Sequence, residues 1–103
     1  MTEFDFSDLY AQYPTVIEQM DKTFTSHKFI LRLAQQNQSA YVTALYHYRD
    51  TVRSGAAVPF MVVHGILSKR LRAHPELVTY MGDVNSINIF GEPDECAQWR
   101  KVQ

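Results

Sequence analysis

The run S-K-R-L-R places Ser68, Lys69, Arg70 and Arg72 within little more than one helical turn of each other. Lysine and arginine neutralise phosphates, and an arginine can bond bidentately to a guanine edge, so the chemistry available here is nucleic-acid recognition. Arg49 and Arg53, at the end of the preceding predicted helix, would add phosphate contacts. The competing reading is a solvated basic face. The other reactive residue types do not assemble. The histidines stand at positions 27, 47, 64 and 74, with no two spaced three to five apart and the lone cysteine, Cys96, far from them all. Zinc-type ligand spacing is therefore missing. Ser68 has no G-x-S-x-G elbow, Cys96 has no surrounding motif, and no phosphate-cradling glycine loop occurs. The expectation is a chain without catalytic residues, metal or cofactor, and not an enzyme. His64 falls at the apolar margin of its helix and should be packed and hydrogen-bonded; His74, before Pro75, should mark a helix end.

Charge is uneven beneath a net of −1. Residues 1–21 hold five acids and no base, residues 22–75 hold eight bases against Asp50 alone, and residues 76–103 hold two bases against five acids. This asymmetry points to an acidic partner for the middle segment, or to acidic ends that fold back on it. With 103 residues, 46% of them hydrophobic and 13% aromatic, the chain fits one globular domain over 1–103. A single cysteine forms no internal disulfide, and the acidic M-T-E-F-D-F-S-D start has no signal-peptide character. The longest apolar run, around Ala56–Val63, falls far short of the ~20 residues that span a bilayer. A cytoplasmic chain with no membrane partner is expected.

The elements that must position these residues follow from periodicity. Residues 1–22 read as an N-terminal helical extension in two pieces, with Ser7 as a cap, Pro14 near the start of the second piece, and Tyr13, Ile17 and Met20 on one face. A helical core follows over 25–75. Thr25 or Ser26 opens a helix whose buried stripe is Phe29, Ile30, Leu33 and Ala34, with Asn37 as its stop. Ser39 caps the next, running to Arg53, with Tyr41, Ala44, Leu45, Tyr48 and Val52 at helical spacing, and Ser54–Val58 is a linker. Pro59 begins a helix ending at His74-Pro75, in which Phe60, Val63, Leu67 and Leu71 face inward and Gly65, Ser68, Lys69 and Arg72 face solvent.

Residues 77–102 read as a hairpin and a C-terminal strand. Val78 to Gly91 would form the hairpin about a turn at Gly82-Asp83, with a second turn at Gly91–Asp94. Residues 94–102 fit strand or helix; the need for a sheet partner favours strand. The hairpin is acidic at both turns, through Asp83, Glu92, Asp94 and Glu95, whereas a phosphate-tracking wing would be basic. Tyrosines are in excess. Tyr46 points away from the core stripe, and Tyr10 and Tyr13 lie in the N-terminal segment, so an interface for a homodimer or another protein is a further use of the surface.

This order, helices followed by a hairpin, resembles that of winged-helix domains over roughly residues 25–102. The T-S-H-K-F-I segment and the N-I-F-G…C-A-Q-W-R-K ending resemble those of short uncharacterised bacterial proteins, which implies no known activity. The winged-helix resemblance implies an α+β fold of winged-helix type, with three to four helices followed by a small antiparallel sheet. It also implies a DNA-binding domain of a small regulator, the third helix entering the major groove of double-stranded DNA. Winged helices also serve as protein-interaction modules, and that is the alternative expectation.

Overall fold

Local sequence signals set most of the element boundaries in the computed structural model, which describes residues 4–102. The described residues are α+β: five α-helices and a small three-stranded antiparallel sheet, with a ribbon of two two-residue strands beside them. Helix α1 (Ser7–Tyr10) is a single turn whose first N–H, from Ser7, is accepted by Asp5 Oδ1 at 2.9 Å. Asp5 rather than Ser7 therefore supplies the capping oxygen, and this bond holds its carboxyl below the usual range. Helix α2 (Tyr13–Gln19) carries Pro14 in its first turn, and Lys101 Nζ donates to the carbonyls of Glu18 and Met20 at its C-terminal end.

Three residues then form β1 (Thr23–Thr25), which the sequence pattern did not announce. Thr25 Oγ1 caps helix α3 (Ser26–Gln36) by accepting from Lys28 N, and Phe29, Ile30, Leu33 and Ala34 are buried as their spacing requires. Asn37 ends α3, and helix α4 (Gln38–His47) starts immediately, with Asn37 rather than Ser39 at its N-cap.

The expected continuation of α4 to Arg53 does not occur. The helix stops at His47, and Val52–Arg53 (β2) pairs with Ala56–Ala57 (β3) across a turn in which Ser54 and Gly55 have φ of 50° and 81°. Positive φ at both central residues is the signature of the tight turn that matches strand twist, so Ser-Gly here is a hairpin signal rather than a linker. Val52, expected in the core stripe, is exposed. Helix α5 (Pro59–Arg70) continues as a 3-10 turn over Leu71–Ala73, and His74-Pro75 ends it as predicted. Val63, Leu67 and Leu71 are buried on its inner side, but Phe60, expected with them, is 41% exposed.

The hairpin is the largest correction. Gly82-Asp83 is no turn: β4 (Val78–Ile87) runs straight through it and pairs with β5 (Pro93–Lys101), from Val78 opposite Lys101 to Ile87 opposite Pro93. The register shifts once, between Tyr80 and Gly82, and Gly82 with φ 107° provides the left-handed residue of that bulge. The reversal lies instead at Asn88–Glu92. There Asn88 Oδ1 accepts from the N–H groups of Phe90 and Glu92, and Gly91 adopts φ 82°. Residues 94–101 are strand, the favoured of the two readings. On its other side β5 pairs with β1, Phe24 opposite Trp99, giving the sheet order β1-β5-β4.

The core lies between this sheet and the helices and contains Leu9, Tyr13, Val16, Phe29, Leu33, Leu67, Leu71 and Trp99. Tyr13 is fully buried and donates its hydroxyl to the Leu67 carbonyl at 2.5 Å, and burial pushes its pKa up. Far from offering an interface, Tyr13 fixes α2 against α5. No helix among the described residues is long and apolar enough to cross a membrane.

Candidate functional site

Helix α5 lies beside β5, and the space between them is a groove. Its upper part is a cavity of about 370 Å³ whose walls include Phe60, Met61, His64 and Gly65 from α5, and Phe90 and Cys96 from the hairpin. Its lower part, about 260 Å³, is lined by Lys69 and Arg72 from α5 and by Asp83, Glu95, Ala97 and Trp99 from the sheet. Ser68, Glu95 and Cys96 border both parts. Bulk at Phe60 and Phe90 holds the upper rim together, their rings in edge-to-face contact with centroids 4.7 Å apart.

The floor is fixed by a polar chain that links three elements. Trp99 Nε1 on β5 donates to Ser26 Oγ at 2.9 Å, and Ser26 Oγ lies 2.7 Å from Ser68 Oγ on α5. Ser68 is thus half-buried and already bonded, not a free donor on a solvent-facing helix. The three cationic residues of α5 and its 3-10 extension occupy distinct places. Arg70 lies over the Tyr10 ring at 4.3 Å, and Arg72 lies over the Tyr80 ring at 4.7 Å. Lys69 has no side-chain partner among the described residues and faces the lower groove with Glu95 and Asp83. Asp83 accepts the Tyr80 hydroxyl at 2.7 Å, which raises the Tyr80 pKa. Arg49 and Arg53, expected on a helix end, lie beyond α4. Arg49 sits over the Tyr46 ring at 4.0 Å, and Arg53 lies in β2 with Nη1 3.5 Å from Met61 Sδ. The structure therefore gathers Ser68, Lys69 and Arg72 at one groove and leaves Arg49, Arg53 and Arg70 outside it.

His64 closes the back of the upper part. Tyr41 Oη lies 2.5 Å from His64 Nε2, tying α4 to α5, and burial raises the Tyr41 pKa to about 12. Burial, with His27 nearby, lowers the His64 pKa to about 4. At neutral pH the ring is uncharged, and the tautomer sets whether Nε2 or the Tyr41 hydroxyl is the donor. His64 is thus the packed, hydrogen-bonded histidine that its helix position predicts. His27 Nε2 stands 3.9 Å from Asp94 Oδ2. Among the described residues no group of three or more histidine, cysteine or acidic side chains is arranged to hold a metal ion.

Gly65 sits in the middle of α5 with open groove in front of it: a Cβ built there meets nothing within 4 Å. Its backbone is helical and suits any residue, so Gly65→Ala should raise unfolding free energy by about 0.5–1 kcal/mol. Urea unfolding at neutral pH measures this gain. Sequence periodicity placed Gly65, Ser68, Lys69 and Arg72 on one face, but it did not show the opposite wall. Asp83 and Glu95 were read as turn acids, and only the β4–β5 register carries them to face α5.

Chemically, the groove offers an apolar mouth, a neutral hydrogen-bonding floor and a lower end with cations on one wall and carboxylates on the other. Around the mouth Phe60, Met61 and Phe90 are 41%, 59% and 52% exposed, a concentration of large apolar side chains in contact with water. Comparison with known proteins finds no family model that matches this chain, and no curated protein or solved structure similar to it.

Proposed function

We propose that this protein is a non-catalytic protein-interaction module on a winged-helix-type scaffold, with the face formed by α5 and the β4–β5 hairpin as its contact surface. The observation that carries this reading is the set of three exposed apolar side chains, Phe60, Met61 and Phe90, around the mouth of the groove. Aromatic and methionine side chains grouped in this way are the usual material of protein interfaces. A phosphate backbone brought to the same face would meet Asp83 and Glu95 within the groove and Glu92 and Asp94 at the hairpin end, all of them repulsive. The scaffold reading is supported by the order of α2, β1, α3, α4, α5, β4 and β5 and by the strand order β1-β5-β4. Fold analogy alone leaves function open.

Duplex DNA is the second reading. It is favoured by the exposure of Lys69, Arg70 and Arg72 at the end of the helix that leads into the hairpin. Stacking on tyrosine leaves a guanidinium charged, so Arg70 and Arg72 keep the ability to contact phosphate. In that case Lys69→Ala and Arg72→Ala each weaken binding, and the loss is steep between roughly 50 and 200 mM salt.

The protein-interaction reading is tested by display selection from a random peptide library on the folded wild-type chain, counter-screened on a Phe60→Ser, Phe90→Ser double variant. Enriched peptides that bind wild type and not the double variant are the expected result. Enrichment of nothing, or of peptides indifferent to both substitutions, would remove this face as a protein contact.

A further inference from the structure

We propose that the groove binds an extended peptide segment, recognised by one large apolar side chain and, about four residues along, by an acidic and a basic side chain at neighbouring positions. This rests on the protein-interaction reading above and specifies the partner's chemistry. The spacing follows from α5 itself. Met61 at the apolar mouth and Lys69 at the charged end are eight residues apart on one helix, ~12 Å at ~1.5 Å per residue, a distance that an extended chain covers in about four residues.

Gly65 supplies an independent reason. Neither its backbone conformation nor any neighbour in the fold calls for glycine, and the space its missing side chain leaves is groove. Glycine in such a place lets another backbone come close against the helix. Charge then sets the order of the ligand. The α5 wall presents Lys69 and Arg72, and the facing sheet wall presents Asp83 and Glu95. Successive side chains of an extended chain point to opposite sides, so an acid turned towards α5 places its neighbour towards the sheet, where a base fits. Lys69 and the Glu95 carboxylate have no side-chain partners among the described residues, which leaves both free to pair with the ligand.

Fluorescein-labelled peptides Leu-Ser-Gly-Ser-Glu-Lys and its reverse, Lys-Glu-Ser-Gly-Ser-Leu, cover both chain directions and are titrated with the full chain by anisotropy. One of them should bind saturably, and replacing its leucine by serine should weaken binding about ten-fold. Gly65→Trp should abolish binding while the circular dichroism melt stays that of a folded chain. Lys69→Glu should weaken binding about five-fold, and changing the peptide's Glu to Lys should restore it. Should Gly65→Trp fail to fold, the Lys69 charge swap decides alone. Absence of binding by both peptides, binding indifferent to Gly65→Trp, or no rescue by the swap overturns the proposal. Where both peptides fail yet display-selected ligands still depend on Phe60 and Phe90, the peptide pattern is wrong and the interaction reading stands. Where those ligands are absent as well, both fall.

Discussion

Ser26→Ala should lower the unfolding free energy by about 2 kcal/mol, a fall in melting temperature on the order of 10 °C for a chain of this size. Ser26 is 1% exposed and is the hinge of the bonds from Trp99 Nε1 and to Ser68 Oγ. Removing its hydroxyl leaves the indole N–H of a 2% exposed tryptophan without an acceptor. That unmet donor carries most of the penalty, because Ser68 is half-buried and can turn to water. Ser68→Ala should therefore cost less than about 1 kcal/mol. The double variant should cost less than the two single losses together, since the Ser26–Ser68 bond is removed in both. Urea melts of the four proteins measure the coupling. A Ser26→Ala protein as stable as wild type would show that this chain does not join β5, α3 and α5.

The second large effect is on acid stability. His64 has a folded pKa of about 4 against an ordinary 6.5, so the folded chain resists a proton that the unfolded chain accepts. The stability this represents is fully present above pH 6.5 and is lost as pH falls towards 4. Allowing for the part of the ring that water reaches, a loss of about 1–2 kcal/mol between neutral pH and the lower end of that window is expected. Protonation also leaves Nε2 able only to donate in its bond with Tyr41. His64→Gln, which does not titrate, should flatten this part of the profile, as measured by urea unfolding across the window. A wild-type profile already flat there would mean that His64 is not held neutral by the fold.

Much of the helical frame was legible in the residues. The stripe Phe29, Ile30, Leu33 and Ala34, the Thr25 cap and the stop at His74-Pro75 are local properties of the chain, and they appear where the pattern places them. The errors arise where tertiary pairing decides. Gly82-Asp83 has the composition of a turn, but residues 83–87 find partners in 93–97, so the left-handed glycine serves a bulge instead. Thr23–Thr25 becomes a strand because β5 has a free edge beside it, something three residues cannot announce. Tyr48 to Arg53 kept a helical period in sequence and Ser54–Val58 had the composition of a linker, yet the positive φ of Ser54 and Gly55 folds Val52–Ala57 into a ribbon.

The candidate site divides in the same way. Its α5 wall could be read from helical spacing, with the exception of Phe60, which the first turn leaves at the rim rather than in the core. Its sheet wall could not, because Asp83 and Glu95 oppose α5 only through the β4–β5 register. The acidic ends that sequence left as alternatives thus fold back in part, and Lys69 and Arg72 share their groove with two carboxylates.

That pairing of signs makes one measurement decisive for the role of this face: amide shift mapping of the isotope-labelled chain with a random-sequence duplex at low salt. If the groove is a polypeptide contact whose cations are balanced by Asp83 and Glu95, the amides of Ser68, Lys69, Arg70 and Arg72 keep their positions as duplex is added. Saturable shifts at those four residues that vanish at roughly 200 mM salt would contradict this and assign the helix to DNA.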